Sequence, residues 1–256
     1  MFRSQKVRND EHGALPAGDD LVVLVDRAVN PFLVMFHEPA GFRAEQVRAM
    51  RNKLVAMNPD GANKTLVVTS AIQGEGKTVT AINLALAFAE LERTPALIVD
   101  GDLRSSSVER YLNVNSGPGL TDVLLGRVGL ERAIRESGVR NLSLLGAGMR
   151  VAGPSEVLTA PRIEELFARL KERFRYVIVD TPPALPATDA SVLAAQADGA
   201  LLVVRLEHSS RALTKQALRV LQDVGGNVLG TFVTEVRGAD PDADPRLSYS
   251  RNEDPE

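Results

Sequence analysis

Ser70-Ala71-Ile72-Gln73-Gly74-Glu75-Gly76-Lys77-Thr78 lies between an apolar, β-branched run at 65–69 and a stretch with helical apolar spacing at 78–91. Strand, glycine-rich loop and helix in that order fit the P-loop pattern G-x-x-x-x-G-K-[ST], with Ala71 in the first glycine position. Gly74 and Gly76 let backbone amides turn inward around phosphate oxygens. Lys77 is placed to reach the β- and γ-phosphates, Thr78 to ligate Mg²⁺, and the helix start adds its positive end. A glycine-rich turn that binds nothing is the bland alternative, and the strand–loop–helix context argues against it.

The same rhythm continues outward. Further β-rich runs fall at 96–99, 142–145, 176–179, 200–206 and 228–233, and helical stretches at 161–174, 188–197 and 211–224. Their alternation predicts an α/β fold, a doubly wound and mostly parallel sheet. The strands are apolar throughout, as both faces of such a sheet are covered. Residues 40–57 read as a helix closed by the turn Pro59-Asp60-Gly61. Residues 1–20 read as a loose arm, 21–236 as the nucleotide-binding domain, and 237–256, with three prolines and six acids, as a mobile tail.

Two strand ends carry acids: Val99-Asp100-Gly101-Asp102 and Val179-Asp180-Thr181. Ligands of open α/β sheets bind at the carboxyl ends of the strands, so these aspartates should converge on the P-loop. Asp180 suits a Mg²⁺-side role through water. Asp100 or Asp102 could hold metal-bound water or accept a proton from an attacking hydroxyl. A lone aspartate at a strand end can equally be a helix cap. Arg104 is placed either near the transferred phosphate or on the surface.

Composition narrows the classes. The chain has 256 residues, a formal net charge of −3 and 44% hydrophobic residues, enough for one sizeable core. It has no cysteine, which excludes disulfides and thiolate metal sites and fits a reducing cytoplasm. His12, His37 and His208 are scattered, and near-neutral charge argues against a nucleic-acid binder. The apolar runs 21–25 and 32–36 are too short to span a bilayer, and Phe2 offers no glycine for myristoylation. Membrane association is therefore expected only through a partner.

With these residues in view, the chain from about 42 to 236 resembles the bacterial tyrosine autokinases (BY-kinases) of capsule and exopolysaccharide synthesis. Gly74-Glu75-Gly76-Lys77-Thr78 is similar to that family's Walker A, Val99-Asp100-Gly101-Asp102-Leu103-Arg104 to its Walker A-prime, and Val177-Ile178-Val179-Asp180-Thr181-Pro182-Pro183 to its Walker B. Thr188-Asp189-Ala190, Gly119-Leu120-Thr121-Asp122-Val123-Leu124 and Pro154-Ser155-Glu156-Val157-Leu158 match lesser signatures. The resemblance implies ATP and Mg²⁺, with Gln73, Gly74, Glu75, Gly76, Lys77, Thr78 and Val79 around the nucleotide. It implies Thr78, Asp102 and Asp180 near the metal, and Lys77 with Asp100 and Asp102 in catalysis.

It further implies that Glu45, Arg48 and Arg51, an E-x-x-R-x-x-R stripe on the 42–57 helix, join copies into a homo-oligomeric ring. It implies a cytoplasmic location beside the membrane, with a co-polymerase-type membrane protein as activator. Family tails carry a tyrosine cluster; here the tail has only Tyr249, the expected phosphoacceptor, since Tyr111 and Tyr176 fall within the predicted fold. Gln73 stands where proline is common, and Thr234 where related ATPases often have an asparagine touching the base. Septum-positioning and partition ATPases carry a lysine five positions before the P-loop lysine, where this chain has Ile72. A non-kinase ATPase switch remains the second reading, favoured by the single tail tyrosine, and a weak nucleotide-binding adaptor the third.

Overall fold

A computed structural model describes residues 29–235. Along the chain come α1 (Val34–His37), α2 (Phe42–Ala56), β1 (Lys64–Ser70), α3 (Lys77–Ala89) and β2 (Ala96–Asp100). Short helices follow, α4 (Val108–Tyr111), α5 (Leu120–Leu124) and α6 (Leu130–Ala133), then β3 (Arg135–Glu136) and β4 (Leu142–Leu145). After α7 (Pro154–Val157) come α8 (Ala160–Lys171), β5 (Tyr176–Asp180), α9 (Asp189–Gln196), β6 (Gly199–Arg205), α10 (Arg211–Asp223) and β7 (Val228–Thr234).

The seven strands form one sheet in the order β3-β4-β2-β5-β1-β6-β7, parallel except for the antiparallel pair β3–β4. Side chains alternate between its faces. Val67, Leu97, Val99, Val177 and Val179 pack with α5–α10 on one side, while Leu66, Val68, Ile98 and Ile178 pack with α1–α4 on the other. Continuous burial of β1, β2 and β5 follows from this double cover. In α8 the buried residues Ile163, Leu166, Phe167 and Leu170 recur at helical spacing, so one stripe faces the core. Nearly all of α3 is buried, because α2 covers the side that the sheet does not. Each fully buried Leu or Phe contributes about 1.5–3 kcal/mol. Tyr176 stacks on Phe88 of α3 with ring centroids 3.9 Å apart.

The main strands and the longer helices match the sequence expectation. The short elements α1, α4–α7 and β3 do not appear in it, since four or five residues carry no periodicity to read.

The charged stripe of α2 has partners within the chain. Arg48 donates to both Glu90 carboxylate oxygens at 2.9 and 2.6 Å, to Glu45 at 2.5 Å and to the Pro39 carbonyl at 2.6 Å. Arg51, only 8% exposed, donates to the Ala87 carbonyl at 2.8 Å and to Glu90 at 3.1 Å. The arginines thus satisfy carbonyl and carboxylate groups at the C-terminal end of α3, where cations are favoured. Glu45, 61% exposed at its side chain, is the stripe's outermost charge. Removing Arg51 leaves a buried carbonyl and Glu90 short of a donor. Arg51→Ala is therefore expected to cost about 2 kcal/mol in urea unfolding at dilute protein, whereas Glu45→Ala costs less than about 0.5 kcal/mol. Equal effects would show that the brace does not act within the protomer.

Candidate active site

β1 delivers the chain to Ser70, and the loop that follows reverses through two left-handed glycines, Gly74 at φ +86° and Gly76 at φ +91°. L side chains avoid that region, which explains the two glycines. Ala71 needs no such freedom: its φ is not positive, and it is buried against the core. Lys77 opens α3, so the first free amides of that helix face the loop's concavity. Thr78 follows, 7% exposed. The Glu75 side chain is fully buried and accepts from the Ile72 amide at 2.9 Å, so only its backbone is turned toward the concavity. Thr234 donates to the Glu75 carbonyl at 3.1 Å, so its hydroxyl braces the loop.

Parallel pairing of β2 with β5 sets Asp100 beside Asp180, and pairing of β5 with β1 sets Asp180 beside Val68, two residues before the loop. Gly101 continues β2 by donating to the Asp180 carbonyl at 2.7 Å; a Cβ there would sit 2.7 Å from the same oxygen. The three aspartates therefore meet at the carboxyl edge of the sheet. Their surroundings differ. Asp100 is fully buried and accepts three backbone amides, from Asp102 at 3.2 Å, Ser107 at 2.9 Å and Val108 at 3.0 Å. It shapes the loop and caps α4. Asp102 accepts from the Ser105 amide at 2.9 Å and faces the Lys77 ammonium at 3.4 Å. Asp180 is fully buried, and neither carboxylate oxygen makes a well-formed hydrogen bond, although the Thr78 hydroxyl lies near enough to favour its charged form.

Burial pushes Asp100 up to about 6 and Asp180 up to about 7; backbone amides oppose the shift at Asp100, and Lys77 opposes it at Asp180. Three carboxylates around one ammonium form an acidic pocket that suits a divalent cation. The orphaned oxygens of Asp180 are the observation that fits one. Among the described residues no three acidic or histidine side chains form a chelating cluster. A cation would therefore rest mainly on nucleotide phosphates, the Thr78 hydroxyl and water, with carboxylates outside, as Mg²⁺ prefers.

Arg104 lies just past Asp102 and forks onto Asp189 through Nε at 2.7 Å and Nη2 at 3.2 Å. Ser155 shares both partners, accepting from Arg104 and donating to Asp189, each at 2.8 Å. This closes a clasp between the Asp102 loop, α7 and α9. Two lesser motifs of the sequence thereby acquire a role that spacing alone did not disclose. Asp122 accepts from the Gly119 amide at 3.0 Å and the Met149 amide at 3.2 Å, and a Cβ on Gly119 would collide with the Gly146 carbonyl. Tyr249 lies outside the described residues.

Residues 63–228 match the family described as AAA domain. The tyrosine-protein kinase YwqD of Bacillus subtilis is 34% identical over 78% of this chain and 84% of its own length. The putative tyrosine-protein kinase CapB of Staphylococcus aureus is 28% identical over 80% of this chain and 89% of its own. Among solved structures, the kinase domain of the Escherichia coli tyrosine kinase ETK superposes with a TM-score of 0.75 at 29% identity, covering 82% of each chain. The septum site-determining protein MinD of Pyrococcus horikoshii, complexed with Mg-ADP, gives 0.59 at 28% identity over 67% of this chain and 70% of that one.

A carboxyl whose folded pKa lies above the roughly 3.9 of an unfolded aspartate binds its proton more tightly when folded. Its stabilising contribution is complete below about pH 4 and is lost as pH rises through about 6 for Asp100 and about 7 for Asp180. Without nucleotide, the melting temperature should fall between pH 5 and 8, and Asp180→Asn should flatten that fall. Scanning calorimetry showing the same slope in the variant would count against this assignment.

Proposed function

Because the chain belongs to the bacterial tyrosine-protein kinase (BY-kinase) family, we propose that it transfers the γ-phosphate of ATP to a tail tyrosine of a second copy. The observation that carries this reading is the unequal placement of two neighbouring aspartates. Asp100 is consumed by three backbone amides, while Asp102 faces Lys77 beside the phosphate loop.

In this reading the phenol oxygen attacks the γ-phosphorus in line. The new O–P bond forms as the bond to the β–γ bridging oxygen breaks, and ADP leaves. Asp102 orients the phenol and takes its proton. Lys77 and the amides of residues 73–79 stabilise negative charge on the transferred group. Bound Mg²⁺, held by Thr78 and through water by Asp102 and Asp180, would neutralise charge between the β- and γ-phosphates. Tyr176 is 4% exposed and stacked in the core, so it cannot reach a neighbour's site without unfolding. Tyr111 packs half-buried on α4, which leaves Tyr249 as the acceptor of choice.

The wider setting is capsule or exopolysaccharide synthesis, at the inner face of the membrane with a co-polymerase-type activator. Among the described residues no helix is long and apolar enough to cross a membrane. The solved chimerical protein CapA2B2, with a TM-score of 0.73 at 28% identity over 80% of this chain and 91% of that one, supports pairing with a second polypeptide. Assembly into a ring would use the outer side of α2, where Glu45 projects. A non-kinase ATPase switch is the second reading, favoured by the single tail tyrosine.

Purified protein incubated with ATP and Mg²⁺, with and without a candidate activator tail, should gain phosphate on Tyr249, as read by intact mass and phosphosite mapping. Lys77→Met should abolish it, and Asp102→Asn should slow it by about 10²- to 10⁴-fold. ADP release with no phosphotyrosine, even with activator, would sink the kinase reading and leave the switch.

A further inference from the structure

A phosphate-binding loop works only if its amides point inward, which obliges its carbonyls to point out. Buried polar groups need partners, and Glu75 is the buried residue of this turn, whereas Gln73 and Gly74 are exposed. In this chain the donors to residues 73–75 come from two distant places in sequence, the segment 205–209 that begins with the last residue of β6 and the end of β7. Arg205 Nη1 donates to the Gly74 carbonyl at 3.2 Å, and Thr234 Oγ1 to the Glu75 carbonyl at 3.1 Å. Ser209 Oγ donates to the Glu75 carboxylate, which in turn accepts from the Ile72 amide at 2.9 Å. His208 Nε2 lies 3.4 Å from the Gln73 carbonyl.

The donors are themselves braced. Ser209 Oγ accepts from the Arg205 amide at 2.9 Å, Arg205 pairs with Glu235 at 2.7 Å, and the Leu206 amide donates to the Thr234 carbonyl at 3.1 Å. The outer side of the loop is thus held by a frame spanning β6 and β7.

We infer that Arg205, Ser209 and Thr234 are positioning residues for phosphate, holding the carbonyls and carboxylate of residues 74–75 behind the loop so that its amides face the nucleotide. The inference rests on the nucleotide-binding part of the proposed function, not on the phosphoacceptor. Gly74 and Gly76 make such a frame necessary. Glycine permits both hands of φ, so peptide planes in this loop can rotate at little steric cost. A rotated plane would turn a carbonyl oxygen toward the phosphates and repel them. Removing one outer hydrogen bond lowers the fraction of loops ready to bind, and apparent affinity falls by that fraction.

The test compares Thr234→Val, Thr234→Ser and Ser209→Ala with the unmodified chain. Affinity for Mg·ATP is measured by calorimetry, and affinity for Mg-tripolyphosphate, which has no base, by competition. Each of Thr234→Val and Ser209→Ala should weaken both ligands by about 5-fold, the value of one ordinary hydrogen bond. Thr234→Ser should restore binding to within about 2-fold and melt within about 1 °C of Thr234→Val without ligand, whereas Ser209→Ala, which strips a donor from the buried Glu75 carboxylate, should also melt lower.

Unchanged affinities would overturn the inference. So would a loss for ATP that spares tripolyphosphate, which would make Thr234 a base contact. Equal losses in melting temperature and affinity that Thr234→Ser fails to rescue would reduce these residues to general stability. A chain that binds Mg·ATP as expected yet phosphorylates nothing would defeat the kinase reading and leave this inference standing.

Discussion

Three carboxylates share the carboxyl edge of the sheet with a single ammonium, and much of the molecule is arranged to tolerate that. Asp100 and Asp180 are brought together by the register of β2 on β5, and no side-chain rotation can separate them widely. Like charges in a poorly solvated pocket disfavour full ionisation. The fold answers in two ways. Backbone amides of the loop before α4 take up the charge of Asp100, and Lys77 faces Asp102. Asp180 accepts no backbone amide, and only the field of Lys77 and the nearby Thr78 hydroxyl offset its burial. It is the unsatisfied member of the set and the one most altered by a cation nearby.

Much of this was legible in the chain before any coordinates. The apolar runs located the strands, and the stretch from Ser70 to Thr78 located the glycine-bearing loop between β1 and α3, because each depends on local spacing alone. Convergence of the acids also followed, since parallel strands share a carboxyl edge. The different surroundings of Asp100 and Asp102 did not follow. They depend on which carboxylate the amides of Ser107 and Val108 reach, and nothing in the spacing records that. The clasp of Arg104, Asp189 and Ser155 joins residues up to 85 apart in sequence, so each looked like an isolated polar residue in a short motif. Spacing places Glu45, Arg48 and Arg51 along one side of α2, but periodicity cannot say what lies opposite. Arg51 turns to the end of α3, and that became visible only with Glu90 and Ala87 in place.

The site is built in layers that answer to different demands. The inner layer is Lys77, Thr78 and the aspartates, whose chemistry a sequence reader can name. Behind it stand the donors of 205–209 and Thr234, and beside it the Arg104 clasp. These outer residues fix backbone direction, and their identity matters through the hydrogen bonds they supply. Thr234 illustrates the difference. At the position where related ATPases often have an asparagine touching the base, a shorter hydroxyl side chain here holds the Glu75 carbonyl.

The close approach at Gly119 has a consequence for how variation in this chain is interpreted. The helix start at Leu120 is pressed against the strand-end loop at Gly146 and Gly148 so tightly that there is no room for any side chain. In a saturation mutagenesis screen, Gly119 would be as intolerant as Lys77, and a score alone would rank the two together. In the proposed reading Lys77 is intolerant because it serves phosphate transfer; Gly119 is intolerant because two backbones occupy neighbouring space. Intolerance at Gly119 therefore marks volume excluded by a neighbouring chain segment and should not be counted as a sign of chemistry.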